Sequence, residues 1–214
     1  MPKALVQIGG KPIIWHIMKM YAHHGFKDFI ICLGHRGDLI KEYFDMNREP
    51  GWNVTCIDTG LETNKSERLK RIKELIDGDT FLVSYGDDVS DVNIKRVIDY
   101  HKSHGKIATI TAVKLESPFG ILEMDEANKI KRFKEKPVLE HYINGGFMVF
   151  DKRIFDYLDE GELEKEVFEK LVEDEQIHAF RHEGFWRCMN TTKETMELGD
   201  LWRSGKAKWR VWKG

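Results

Sequence analysis

The stretch that decides the fold is Thr80-Phe81-Leu82-Val83-Ser84 running straight into Tyr85-Gly86-Asp87-Asp88-Val89-Ser90-Asp91. Five residues of mostly β-favouring, apolar character predict a buried strand, and the glycine and carboxylates that follow end it abruptly. Working back toward the start, Leu69, Ile72, Leu75 and Ile76 recur at helical spacing, so 67–76 reads as a helix. Before it come a strand over 52–57, a helix over 38–44, and the apolar strand Phe29-Ile30-Ile31-Cys32-Leu33 closed by Gly34. The first helix opens after Pro12, carries Ile13, Ile14, Ile17, Met18 and Tyr21 on one face, and stops at Gly25. Alternation of this kind predicts parallel strands joined by right-handed crossovers, with ligands gathered at the carboxyl ends of the strands. Asp87 and Asp88 fall there.

Downstream of a helix at 92–101 the pattern changes. Residues 107–113, 120–124, 129–133 and 145–150 read as strands with little helix between them, which predicts a mixed, partly antiparallel second half. A charged amphipathic helix at 162–172, a strand at 177–181 and a helix at 192–202 complete the reading, with no internal repeat or linker. The fold class expected is α/β, and residues 1–214 make one domain.

Composition narrows the function. The chain has 214 residues, 41% hydrophobic and 33% charged, a globular balance. Its formal charge of −2 gives no basic excess, so no nucleic acid partner is expected. No apolar run approaches the ~20 residues of a membrane helix, and Met1-Pro2-Lys3 opens no signal peptide. Cys32, Cys56 and Cys188 are odd in number and lack CxxC spacing, which suits reduced thiols and a cytoplasmic location. The nine histidines form no HExxH-like ligand set.

Adjacent carboxylates are costly unless solvated or neutralised, and a hard, oxygen-preferring cation is the usual neutraliser. Asp87 is the expected metal ligand, with Gly86 letting a phosphate approach. The same letters also suit a turn in which Ser90 or Asp91 caps the helix at 92–101. Other features fit a phosphate site. Lys3 precedes a glycine turn, Gly9-Gly10, that opens a helix; Lys136 in Glu135-Lys136-Pro137 offers a point charge; Asn144-Gly145-Gly146 offers bare backbone and an amide. Each alone is an ordinary turn.

Together these residues resemble the glucose-1-phosphate cytidylyltransferase family of sugar-phosphate nucleotidyltransferases. The resemblance runs through Pro2-Lys3, 6–16, 85–91, 133–137, 143–147, Gly184-Phe185-Trp186 and the tail from Leu201-Trp202 to Trp212. It implies a Rossmann-like three-layer sandwich with a mixed central sheet. The activity implied is Mg²⁺-dependent transfer of CMP from CTP to a phosphorylated small molecule, with release of pyrophosphate, for surface-polysaccharide precursors. By the family motifs, Lys3 neutralises the triphosphate, Asp87 holds Mg²⁺, Lys136 anchors the acceptor phosphate beside Glu135, Asn144 and Gly145, and Thr63, Arg68 and Gly86 lie by the nucleotide.

Three departures stand out. The family's opening strand and GGxGTRL loop have no counterpart in the numbered chain, so a complete sheet is expected to need residues outside it. The glycine pair usual before Arg68 is replaced in Asn64-Lys65-Ser66-Glu67, and an inward Glu67 would disfavour glucose 1-phosphate relative to an aminated or non-sugar phosphate. The family's second metal aspartate is Asn190, an oxygen donor without the charge. Two other functions compete: a nucleotide-binding relative without turnover, and a metal-dependent glycosyltransferase. The tail aromatics Trp202, Trp209 and Trp212 either pack on the core or, if exposed, mark a homo-oligomer contact.

Overall fold

The computed structural model describes residues 1–213. After a 3₁₀ turn at Lys3–Leu5, a small hairpin pairs β1 (Gln7–Ile8) with β2 (Lys11–Pro12), and α1 (Ile13–His23) follows. Gly9 in that hairpin has φ +61°, and a Cβ there would fall 1.9 Å from the Trp202 ring nitrogen. Only glycine allows the hairpin to close under the indole. Next come β3 (Asp28–Leu33), α2 (Gly37–Met46), β4 (Asn53–Asp58) and α3 (Lys65–Arg71). Then come β5 (Thr80–Val83), β6 (Asp88–Ser90), α4 (Ile94–His104), β7 (Ala108–Glu116), β8 (Ile121–Met124) and β9 (Ile130–Lys134). The chain continues through β10 (Val138–Asn144), β11 (Met148–Asp151), α5 (Phe168–Glu173), β12 (Ile177–His182), β13 (Trp186–Cys188) and α6 (Thr192–Arg203). No helix among the described residues is long and apolar enough to cross a membrane.

The central sheet is mixed, as the strand-rich second half predicts. β7 is its spine. One edge takes β10 along its carboxyl half and β11 along its amino half, both antiparallel, and the other edge takes β12 in parallel. β5 extends the sheet by pairing antiparallel with β11. The expectation of one parallel array joining the first three strands is corrected here: β3 and β4 pair in parallel with each other only. Among the described residues, β3 and β5 each keep one edge without a strand partner. Side chains join the β3–β4 pair to the central sheet, since Ile30, Cys32 and Ile57 pack on the core holding Phe150 and Ile154, as do Phe81 and Val83.

Local departures have local causes. β10 falls outside the strands read from the sequence; its antiparallel pairing with β7 makes it one, with a register shift between Val138 and Tyr142. The 162–172 helix splits into a π-helical turn, Leu163–Val167, and α5. The helix at 67–76 is α3 plus a separate 3₁₀ turn, Lys73–Leu75. Neither Ser90 nor Asp91 caps α4. Asn93 does, its side chain accepting from the Arg96 amide, while Asp91 Oδ1 accepts from the Phe185 amide at 2.7 Å and pairs with His182 at 2.9 Å.

The tail belongs to the core. Trp209 is fully buried and Trp212 nearly so, around a fully buried His16. Trp209 stacks on Trp202 and Phe185, and the His16 ring meets Trp15 and Trp202 edge-on. The exposed-aromatic argument for a homo-oligomer therefore has no basis at Trp209 and Trp212.

Candidate active site

Just past the carboxyl end of β5 the chain turns through Tyr85-Gly86-Asp87 into β6, and this turn lines an open cleft of about 700 Å³. β6 is fixed by antiparallel pairing with β13, Asp88 opposite Cys188, and the Met189 amide donates to the Asp87 carbonyl at 2.9 Å. That pairing delivers Asn190 to the same cleft. The Asn190 and Thr191 amides donate to Glu194 Oε2 at 2.7 and 2.8 Å, a capping box that also starts α6. From the amino end, the 3₁₀ turn brings Lys3, whose ammonium donates to both Asp87 Oδ2 and Asn190 Oδ1.

A second group sits along the cleft. Tyr85 Oη donates to Glu164 Oε1 at 2.6 Å, and Asn144 Nδ2 donates to Tyr85 Oη at 3.0 Å. Asn144 Oδ1 accepts from the Gly146 amide, so the amide orientation is set at both ends. Lys65 Nζ pairs with Glu164 at 2.5 Å and lies 4.9 Å from the centre of the Tyr85 ring. Burial and the Glu164 carboxylate push the Tyr85 phenol far up, which keeps it a donor. Leu115, Ile143 and Trp186 supply apolar wall, with Trp186 Nε1 held by the Gly145 carbonyl at 2.9 Å.

Asp88 is 5% exposed. Burial, and then the charge of Asp87, push its carboxyl up to about 7 against the opposing pull of Lys3.

Of the residues singled out in the sequence, Lys3, Gly86, Asp87, Asn144 and Asn190 line this cleft together. Gly145 contributes its carbonyl to Trp186 behind the wall. Glu135 and Lys136 are not gathered here. They lie at the foot of the β8–β9 hairpin, whose strand residues are all exposed, and Lys136 is itself exposed with φ +44°. Arg68 is committed elsewhere: its guanidinium donates to the Leu33 carbonyl at 2.9 Å and to Thr59 Oγ1 at 2.6 Å, tying α3 to the ends of β3 and β4. Thr63 stands beside Gly60 in the same loop, away from the cleft lining. Glu67 does not face the cleft either. It pairs with Lys70, which also holds Asp159 at 2.7 Å, so the objection it raised to glucose 1-phosphate loses its ground.

Sequence reasoning missed Lys65, Tyr85 and Glu164. Tyr85 had a signal, standing directly before Gly86-Asp87; Glu164 had none, since it reads as one more charge on an acidic helix.

Mg²⁺ fits the donor set. A carboxylate oxygen and an amide oxygen converge on one cation, the Lys3 ammonium, which marks a place suited to positive charge. Among the described residues no three His, Cys, Asp or Glu side chains form a closed metal site. A hard ion that takes its remaining ligands from water and phosphate oxygens suits such a half-open pair.

Residues 1–200 match the family model described as nucleotidyl transferase. The chain belongs to the nucleotidyl transferase family. It is 42% identical over 236 residues to the glucose-1-phosphate cytidylyltransferase of Salmonella typhi, an alignment covering 99% of this chain and 91% of that one. To the mannose-1-phosphate guanyltransferase of Saccharomyces cerevisiae it is 30% identical over 218 residues, covering 97% of this chain and 60% of the relative. In three dimensions it superposes on HddC from Yersinia pseudotuberculosis with a TM-score of 0.74 at 20% identity, covering 94% and 90% of the two chains. That likeness establishes the α/β fold with its mixed central sheet. As a nucleotidyl transferase the protein is an enzyme.

Proposed function

We propose that this enzyme transfers CMP from CTP to glucose 1-phosphate, giving CDP-glucose and pyrophosphate. The observation that carries this reading is the convergence of Lys3, Asp87 and Asn190 at one end of the cleft, in a chain 42% identical to a glucose-1-phosphate cytidylyltransferase. A phosphate oxygen of the sugar phosphate attacks the α-phosphorus of CTP. The bond from that phosphorus to the bridging oxygen breaks, and pyrophosphate leaves with the electron pair. Such an in-line displacement needs positioning and charge neutralisation more than covalent help.

Asp87 and Asn190 would hold Mg²⁺, which offsets phosphate charge as pyrophosphate leaves. Lys3 leaves its two oxygen partners and turns its ammonium to the triphosphate. Asn144, locked by Tyr85 and Gly146, presents a fixed edge to the acceptor. Glu67, paired with Lys70, does not set a carboxylate against either polyanion. The product is an activated sugar, the donor that glycosyl transfer for surface polysaccharide consumes.

Asn190 favours a second reading, a relative that binds nucleotide without turnover, because the amide brings no charge to the metal. One assay separates them: CTP, UTP, GTP or dTTP with glucose 1-phosphate and Mg²⁺, followed by pyrophosphate release and product mass. We expect CDP-glucose, with kcat/KM above ~10⁴ M⁻¹s⁻¹. Nucleotide binding without pyrophosphate would leave the second reading standing. Glycosyl transfer from a nucleoside diphosphate sugar, with no use of a triphosphate, would replace both.

A further inference from the structure

We propose that Asp88 is a specificity-determining residue of the acceptor site, its carboxylate accepting hydrogen bonds from hydroxyl groups of the sugar. The assignment rests on the reading of the cleft as a sugar-phosphate nucleotidyltransferase site.

Asp88 lines the cleft, is only 5% exposed, and has no donor to its carboxylate among the described residues. Its oxygens are not among the enclosed side-chain atoms left unpaired, so they open onto the cleft as acceptors that a ligand can reach. The side chain is not free to seek another partner, because its backbone is pinned by the pairing of β6 with β13. Lys3, the nearest cation in the cleft, is spent on Asp87 and Asn190. The two neighbouring aspartates are thus divided: Asp87 belongs to the cationic end, and Asp88 remains without a donor.

The surroundings of Asp88 suit a sugar ring. Gly146, at φ +69°, leaves the adjoining space open; a Cβ there would lie 3.5 Å from Asp88 Oδ2 and 3.1 Å from the Tyr85 ring. Trp186 and Ile143 offer apolar surface to the C–H face of a ring, and Asn144 offers a fixed amide. An apolar wall with a few convergent polar groups is how a small-molecule site fixes orientation. Neutral hydroxyl donors are accepted, and a carboxylate takes two of them at once.

The experiment uses the full chain and the variant Asp88→Asn, which keeps volume and removes charge and one acceptor. Melting temperature verifies the fold. Calorimetry gives the affinities for glucose 1-phosphate and for CTP with Mg²⁺, and steady-state assays add the 2-, 3-, 4- and 6-deoxy analogues. We expect affinity for glucose 1-phosphate to fall about tenfold or more and kcat/KM about 100-fold, with CTP affinity within about threefold of the parent. The deoxy analogues that lack a contacted hydroxyl should lose less on the substitution than glucose 1-phosphate does, and the other analogues should lose as much. Equal loss with every analogue, or a fall in CTP affinity matching that for the sugar phosphate, would overturn the assignment and place Asp88 with the metal and nucleotide. A parent that turns over no sugar phosphate defeats the proposed function instead, and the calorimetric comparison with glucose 1-phosphate still decides Asp88.

Discussion

The Lys3 ammonium and the Asp87 carboxylate pair across the cleft, joining the turn before the first hairpin to the turn after β5. Both side chains are partly open to solvent, 41% and 28% exposed, so a ligand can reach and rearrange them. Asp87 is held by the backbone bond from Met189, and replacing its side chain leaves that bond intact. Asp87→Ala should therefore lower kcat by about 10²-fold or more while shifting the melting temperature by only a few degrees. Activity within tenfold of the parent would refute the assignment.

Asn190 sits beside Asp87 with a neutral oxygen. Asn190→Asp adds a charge to the pair without changing its size, and hard cations bind more tightly as ligand charge rises. The expected result is about a tenfold fall in the Mg²⁺ concentration giving half-maximal activity, matched by calorimetric affinity. An unchanged Mg²⁺ requirement would show that Asn190 does not contact the ion.

Arg68 separates the family pattern from the geometry. Its guanidinium bonds the Leu33 carbonyl and Thr59, so its removal should weaken the fold rather than nucleotide binding. Arg68→Ala is expected to lower stability by about 1–3 kcal/mol, with KM for CTP within about threefold. Urea unfolding and steady-state kinetics on one preparation test both halves. A large rise in KM at unchanged stability would return Arg68 to the nucleotide site.

His16 sets an acid limit on stability. Its Nε2–H donates to the Ile8 carbonyl at 2.8 Å, and its Nδ1 accepts from Trp209 Nε1 at 3.4 Å, so the buried ring is neutral. Burial lowers its pKa from 6.5 to about 4. Between those values the unfolded chain binds a proton that the folded chain does not, so stability falls as pH falls through that window. The loss from pH 7 to 4 is about 3 kcal/mol from this group. Urea midpoints across that range, compared with a His16→Phe variant, should show the dependence flatten by that amount. An equal slope in the variant would mean other groups carry it.

Much of this protein is written in short segments. The run from Thr80 to Val83, the helical spacing from Ile13 to Tyr21 and the glycine after β5 act within a turn or two, so the sequence by itself determined most elements and the place of Asp87 at a strand's end. The family motifs also pointed to Lys3, Asn144 and Asn190, which the cleft brings together. Only the tertiary structure decided which charges meet. Glu164 reaches Tyr85 and Lys65 across the fold, Arg68 is drawn to the ends of β3 and β4, and Glu67 turns to Lys70. The pairing of β5 with β11 instead of β3 was equally hidden. The physical reason is range. Propensity and periodicity depend on neighbours along the chain, whereas ion pairing, burial and strand partnership depend on neighbours in space. Asp87 and Asp88 are adjacent in sequence, yet one finds the Lys3 ammonium and the other is left without a donor, and that difference arises only once β6 has paired with β13.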